Sequence, residues 1–275
     1  MSELIDISLR DGAIVRAKVA GDGPPLILYG NMVSWPFWCY QIPALAQHFR
    51  VIAPEYRNDP LPGKTALDAL AADVPDLIHA LGYDQAFLVG HSIGSMVLAR
   101  VLEQQPEIAT AVVLGNGFLR MRIMPPALHW LQPKLVPALH AIYPRLPWLV
   151  RQIGSYMLLW GDQHIFLHGE PDREKRHMFF GYTFTSDPSM VLRLAAALEY
   201  HQPPDLSRAR MPVLVVSSGR DRWVTLQDAR RLVELLPCGE HLLIPSIGHM
   251  SPLIVPDVFN RAVLDFFGRV RSDML

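Results

Sequence analysis

The chain predicts a mostly parallel α/β sheet flanked by helices, and three observations predict it. Short apolar runs recur along the sequence without alternation, stretches with helical spacing lie between them, and half of the 275 residues are apolar. Unbroken apolar runs suit strands covered on both faces, and a strand-helix-strand order implies parallel pairing.

Leu4 to Leu9 and Ile14 to Val19 alternate in part around Asp11-Gly12, a dipeptide suited to the positive φ angles of a tight hairpin. Two antiparallel strands are therefore expected first. The apolar runs that follow are Leu26 to Tyr29, Val51 to Pro54, Ala86 to Val89, Ala111 to Leu114, Val213 to Ser217 and Leu242 to Pro245. Among the intervening stretches, Ala66 to Leu81 places Leu67, Leu70, Val74, Leu77, Ile78 and Leu81 on one helical face, with Gly82 as a stop. Helices are also expected at Ile93 to Gln104, Leu226 to Leu236 and Pro256 to Val270.

One segment breaks this rhythm. Residues 118–205 carry prolines, tryptophans and helical apolar patterns, which predicts a helical cap inserted into a core built from residues 1–117 and 206–275. The first half of the insertion, Phe118 to Gly161, holds Arg120, Arg122, Lys134, Arg145 and Arg151 and no acidic residue. Such a face serves either as a solvated surface over an apolar underside or as an attraction for an anionic or lipid-like ligand, peripheral membrane contact included.

The charge balance, 25 basic against 26 acidic residues, provides no general footprint for nucleic acid. Cys39 and Cys238 are far apart and read as reduced, buried thiols rather than a zinc or redox pair. The acidic opening Met1-Ser2-Glu3-Leu4-Ile5-Asp6 does not resemble an export signal, and the longest uncharged stretch, Gly23 to Phe49, is broken by prolines. A cytoplasmic protein without a membrane span is expected.

Chemistry concentrates at Val89-Gly90-His91-Ser92-Ile93-Gly94, which joins an apolar strand to a helix. A serine at so sharp a junction sits in strained backbone, and glycines two positions either side remove Cβ atoms that would collide. Ser92 is the expected nucleophile, and the Ile93 N–H at the helix start is an oxyanion donor. A serine hydroxyl needs a base, normally a histidine oriented by a carboxylate. Asp221 follows the strand Val213 to Ser217, and His249 lies in the loop after the last strand, so Asp221 is the expected acid and His249 the expected base. The neighbouring His91 reads as structural. In Tyr29-Gly30-Asn31-Met32, the Asn31 N–H is the expected second oxyanion donor, with Met32 as the fallback.

With these pieces in order, the chain resembles the α/β-hydrolase superfamily over nearly its whole length. The resemblance rests on the Gly30-Asn31 loop, the Ser92 elbow, the Gly219-Arg220-Asp221 loop and Gly248-His249. It implies acyl-enzyme hydrolysis of an ester or related bond, with a cap over the pocket and no metal or organic cofactor. Two segments depart from the usual pattern. Tyr29 stands where a histidine is usual, and Tyr56-Arg57-Asn58-Asp59 replaces the usual arginine-glycine segment.

An apolar small-molecule ester is the expected substrate, bound by Met32, Trp35, Phe118, Trp130 and Trp160. Carbon–carbon bond hydrolysis, perhydrolysis and acyl transfer use the same residues. A ligand receptor or a cofactor-free oxygenase on this scaffold is also compatible. Halide or epoxide cleavage normally needs an aspartate at the position of Ser92.

Overall fold

The computed structural model describes residues 2–30, 35–59, 61–119, 142, 192–193, 195–197, 202–221 and 223–273. Within them an eight-stranded sheet runs in the order β1-β2-β4-β3-β5-β6-β7-β8. The expected insertion lies largely outside the described residues.

The opening hairpin pairs β1 (Ser2–Ser8) with β2 (Ile14–Ala20) antiparallel, and Gly12 has φ 85° in the turn between them. The next strand, β3 (Pro25–Tyr29), lies parallel to β4 (Arg50–Pro54) and to β5 (Ala86–His91). Parallel pairing continues through β6 (Ala109–Gly115), β7 (Val213–Ser218) and β8 (Gly239–Ile244). The last strand starts three residues before the expected apolar run. At the sheet edge β8 has one strand neighbour, so Glu240 and His241 remain exposed and its first half lacks an apolar signature. Cys238, expected to be buried, is exposed because it occupies the turn into this edge strand.

Helices cover both faces. A short α1 (Gln41–Leu45) precedes β4, and α2 (Ala66–Ala80) and α3 (Ile93–Gln104) flank β5 in sequence. Towards the end come α4 (Leu226–Glu234), α5 (Ser251–Ile254) and α6 (Pro256–Asp273). The Thr65 hydroxyl caps α2 by accepting from the Asp68 N–H at 3.1 Å. The helix ends at Gly82, φ 82°, where the Tyr83 N–H donates to the Ile78 carbonyl at 3.1 Å. That bond spans six residues, the return that a left-handed glycine permits.

Successive strand residues point to opposite faces and are buried on both. Ile27, Leu88, Val112 and Leu114 enter one core with Leu70, Val74 and Val97 of α2 and α3. Leu26, Leu28, Phe87, Val89 and Val113 enter the other with Ile42 and Leu45 of α1 and Phe259, Val263 and Phe267 of α6. Burial of each large side chain contributes about 1.5–3 kcal/mol, so this double covering explains why the central runs are apolar throughout. It also leaves the C-terminal ends of β3, β5, β6, β7 and β8 side by side at one edge.

Candidate active site

Ser92 occupies the step between β5 and α3 with φ 56°, a left-handed conformation that a serine adopts at a cost of about 1–3 kcal/mol. Close packing holds it there. A Cβ on Gly94 would lie 2.0 Å from the Tyr29 carbonyl oxygen, and one on Gly90 would lie 2.7 Å from the Gly94 carbonyl carbon. The Ser92 N–H donates to the Gly115 carbonyl at 2.8 Å, and the Ser95 hydroxyl donates to the same oxygen at 2.8 Å. Gly115 ends β6, so the elbow is fastened to its neighbouring strand.

Three expected residues meet here. The Asp221 carboxylate lies 2.7 Å from His249 Nδ1, and His249 Nε2 lies 2.8 Å from Ser92 Oγ. His249 is fully buried and Ser92 nearly so. Burial acts to raise the Asp221 pKa, yet the facing imidazole and the hydrogen bonds it accepts hold it down to about 2. An ionised carboxylate only accepts, so Nδ1 of His249 carries the proton and donates it. Nε2, the ring's other nitrogen, faces the Ser92 hydroxyl.

Asp221 is saturated with donors. One oxygen accepts from the Trp223 and Val224 N–H groups at 2.8 and 3.0 Å. The other accepts from His249 and, at 2.7 Å, from Asn116 Nδ2. Asn116 follows β6 with φ 46°; its amide also donates to Ser218 Oγ, and its Oδ1 accepts from the Ser251 hydroxyl, each at 3.0 Å. It thereby joins the segments that carry Asp221 and His249. Nothing in the sequence singles it out, because Asn116-Gly117 reads as an ordinary turn.

His91 is more than packing. Its ring lies between Phe37 and His249, at centroid distances of 5.0 and 5.2 Å, and Nε2–H donates to the His249 carbonyl at 2.9 Å. Burial, reinforced by the neighbouring His249, pushes its pKa down to about 3, so it supports the His249 loop as a neutral ring. Gln41 braces α5, the short helix that follows this loop, by donating to the Pro252 carbonyl at 2.9 Å.

The other expected site residues divide. Ile93 opens α3, where first-turn N–H groups have no acceptor within the helix. Phe118 is buried with its ring 5.8 Å from the His249 ring. Trp35 packs against the α1 and α6 side of the core, with Lys18 Nζ 5.5 Å from its ring centre. Asn31, Met32, Trp130 and Trp160 lie outside the described residues. Among the described residues, no cluster of three or more His, Cys, Asp or Glu is arranged to hold a metal, and no helix is long and apolar enough to cross a membrane.

A parallel sheet with a strained serine, a histidine and an aspartate on adjoining strand ends defines the α/β-hydrolase class of fold. The chain belongs to the alpha/beta hydrolase family, whose pattern it matches over residues 26–262. It is similar to the protein named "Putative carbamate hydrolase RutD" of Caulobacter sp. (strain K31), with 28% identity covering 92% of this chain and 93% of that one. Among solved structures, it is similar to a thermophilic esterase from Thermogutta terrifontis at a TM-score of 0.76 and 19% identity, covering 98% of this chain and 99% of that chain. The enol-lactonase from Burkholderia xenovorans LB400 is similar at a TM-score of 0.75 and 19% identity, covering 96% of this chain and 100% of that one. These two structures share the fold.

Proposed function

We propose that the protein is a serine hydrolase that cleaves a carboxylic ester, or a related acyl bond, of an apolar small molecule through an acyl-enzyme. The observation that carries this reading is the continuous Asp221–His249–Ser92 hydrogen-bond chain at the start of α3.

His249 Nε2 takes the Ser92 proton as Oγ attacks the carbonyl carbon, and Asp221 stabilises the imidazolium that forms. Negative charge moves onto the carbonyl oxygen, where the N–H groups of Ile93 and Asn31 receive it. His249 then returns the proton to the leaving alcohol, and the acyl group remains on Ser92. Water enters, loses a proton to His249 and attacks the acyl carbon; as the bond to Ser92 Oγ breaks, His249 returns that proton to Ser92 and the acid leaves. Phe118 beside His249 supplies apolar surface to the substrate. A carbamate places its carbonyl between oxygen and nitrogen and is open to the same attack. The name of the relative similar over nearly the whole chain supports including carbamates among the substrates tried.

Intact-mass analysis after fluorophosphonate treatment tests the assignment, alongside hydrolysis of p-nitrophenyl esters from two to twelve acyl carbons. A single adduct absent from Ser92→Ala, with turnover lowered by several orders of magnitude in that variant, is the expected result. Near-normal hydrolysis by Ser92→Ala would refute the nucleophile, and a steep preference for the shortest ester would refute the large apolar pocket.

A further inference from the structure

His249 is fully buried and has a partner at each ring nitrogen, Asp221 at Nδ1 and Ser92 at Nε2. Two of the described rings, those of His91 and Phe118, lie against the imidazole itself. Their centres are 5.2 and 5.8 Å from its own, at interplanar angles of 59° and 37°. These neighbours differ in what they offer a positive charge. Burial holds the His91 pKa down to about 3, so that ring stays neutral, and its Nε2–H is committed to the His249 carbonyl. Phe118 is tilted nearer to stacked than to edge-on, and the negative potential of a benzene face attracts a cation within about 6 Å of the ring centre.

The segment after β6 sets the place of Phe118. The Asn116 N–H donates to the Val216 carbonyl at 2.8 Å, and a Cβ on Gly117 would lie 2.9 Å from the Ser95 Cβ, so the backbone here runs directly against α3. One short segment thus serves the histidine twice. Asn116 holds the carboxylate at Nδ1, and Phe118 meets the ring. Both side chains are buried, and an aromatic face attracts a cation more strongly where water is excluded. A neutral imidazole gains little from such a face. The imidazolium formed when Nε2 takes the Ser92 proton gains more, and contacts that strengthen in the transition state are those that raise kcat.

We propose that Phe118 is a positioning residue for His249, its π face keeping the imidazole turned to Ser92 and stabilising the imidazolium that forms as the serine attacks. This role is separate from the apolar surface that Phe118 offers the substrate. The proposal rests on the serine-hydrolase reading above.

Replacing Phe118 by mono-, di- and trifluorinated phenylalanine tests it, because each ring fluorine withdraws charge from the π face while shape and apolarity stay nearly the same. The readouts are kcat and KM on p-nitrophenyl acetate and on the best longer-chain ester. Active sites are titrated with a fluorophosphonate, so kcat does not depend on the fraction of protein that is folded. Expected is a stepwise fall in kcat with each fluorine, reaching about 3- to 30-fold in the trifluorinated protein, equal for the two esters and with KM within about twofold. Phe118→Leu, which removes the π face altogether, loses at least as much. Unchanged kcat across the fluorinated series, or in Phe118→Leu, would overturn the proposal. So would a fall confined to the longer ester or to KM, which would make Phe118 a pocket wall and nothing more. A wild type that does not react at Ser92 overturns the hydrolase reading instead, and this proposal with it.

Discussion

Asn116 donates to the same Asp221 oxygen that receives the His249 proton, at the same 2.7 Å distance. The carboxylate is thus oriented from β6 as well as by the His249 ring.

Replacing Asn116 by Leu removes this donor and leaves the Ser251 and Ser218 hydroxyls to find other partners. kcat should fall about tenfold, as befits the loss of one charge-assisted hydrogen bond worth about 1.5–3 kcal/mol, part of which relaxation recovers. Asn116→Asp should do more, because a second carboxylate beside Asp221 raises its pKa. The acid limb of the pH–rate profile should then move to higher pH, as an ester assay in buffers from pH 4 to 8 would record.

His91 and Asp221 should produce separate windows of acid sensitivity. With its pKa held at about 3 against an ordinary 6.5, His91 in the folded chain binds fewer protons than in the unfolded chain between those values. Its stabilising contribution is present above about pH 6.5 and declines as pH falls, reaching a loss of about 2 kcal/mol by pH 5. Asp221, at about 2 against 3.8, contributes on the order of 2 kcal/mol above its unfolded value. That contribution is lost only below about pH 4. Urea unfolding at stepped pH should show His91→Gln losing the first slope and retaining the second. An unchanged slope between pH 6.5 and 4 would refute the assignment to His91.

Three glycines should respond to alanine in different ways. Gly94→Ala drives a methyl group into the Tyr29 and Gly30 carbonyls, and Gly90→Ala into the backbone at Gly94 and Ser95, so each should cost about 1–3 kcal/mol or more and most of the activity. Gly268, within α6, has open space around an added Cβ, and alanine there should stabilise by about 0.5–1 kcal/mol. Thermal melts of the three variants would check the order.

The sequence makes the central strands and Ser92, Asp221 and His249 readable for one physical reason. Strands buried on both faces must be continuously apolar, and Ser92 and Asp221 follow such strands, whereas His249 follows the edge strand β8, of which only the later, apolar half is readable. Where burial relaxes, the signal fades. The polar start of β8 and the exposure of Cys238 reflect an edge with a single strand neighbour. The 3₁₀ turn Trp35–Trp38 and the short α1 have too few residues to establish a period. Asn116 and His91 hydrogen-bond to partners 105 and 158 positions away. No local spacing encodes such pairings.

The hydrogen bond between Ser92 and His249 closes a loop of 157 positions, and the loop that carries His249 precedes the helix whose Phe259 and Phe267 fill one face of the sheet. During synthesis, a growing chain can therefore complete the Ser92 elbow and pair β5 with β6 and still lack His249, which on the reading proposed above is the base that activates the serine. On that reading Ser92 stays latent until the last strand and α6 have docked, so reactivity at Ser92 would be a late reporter of folding, appearing after most secondary structure has formed.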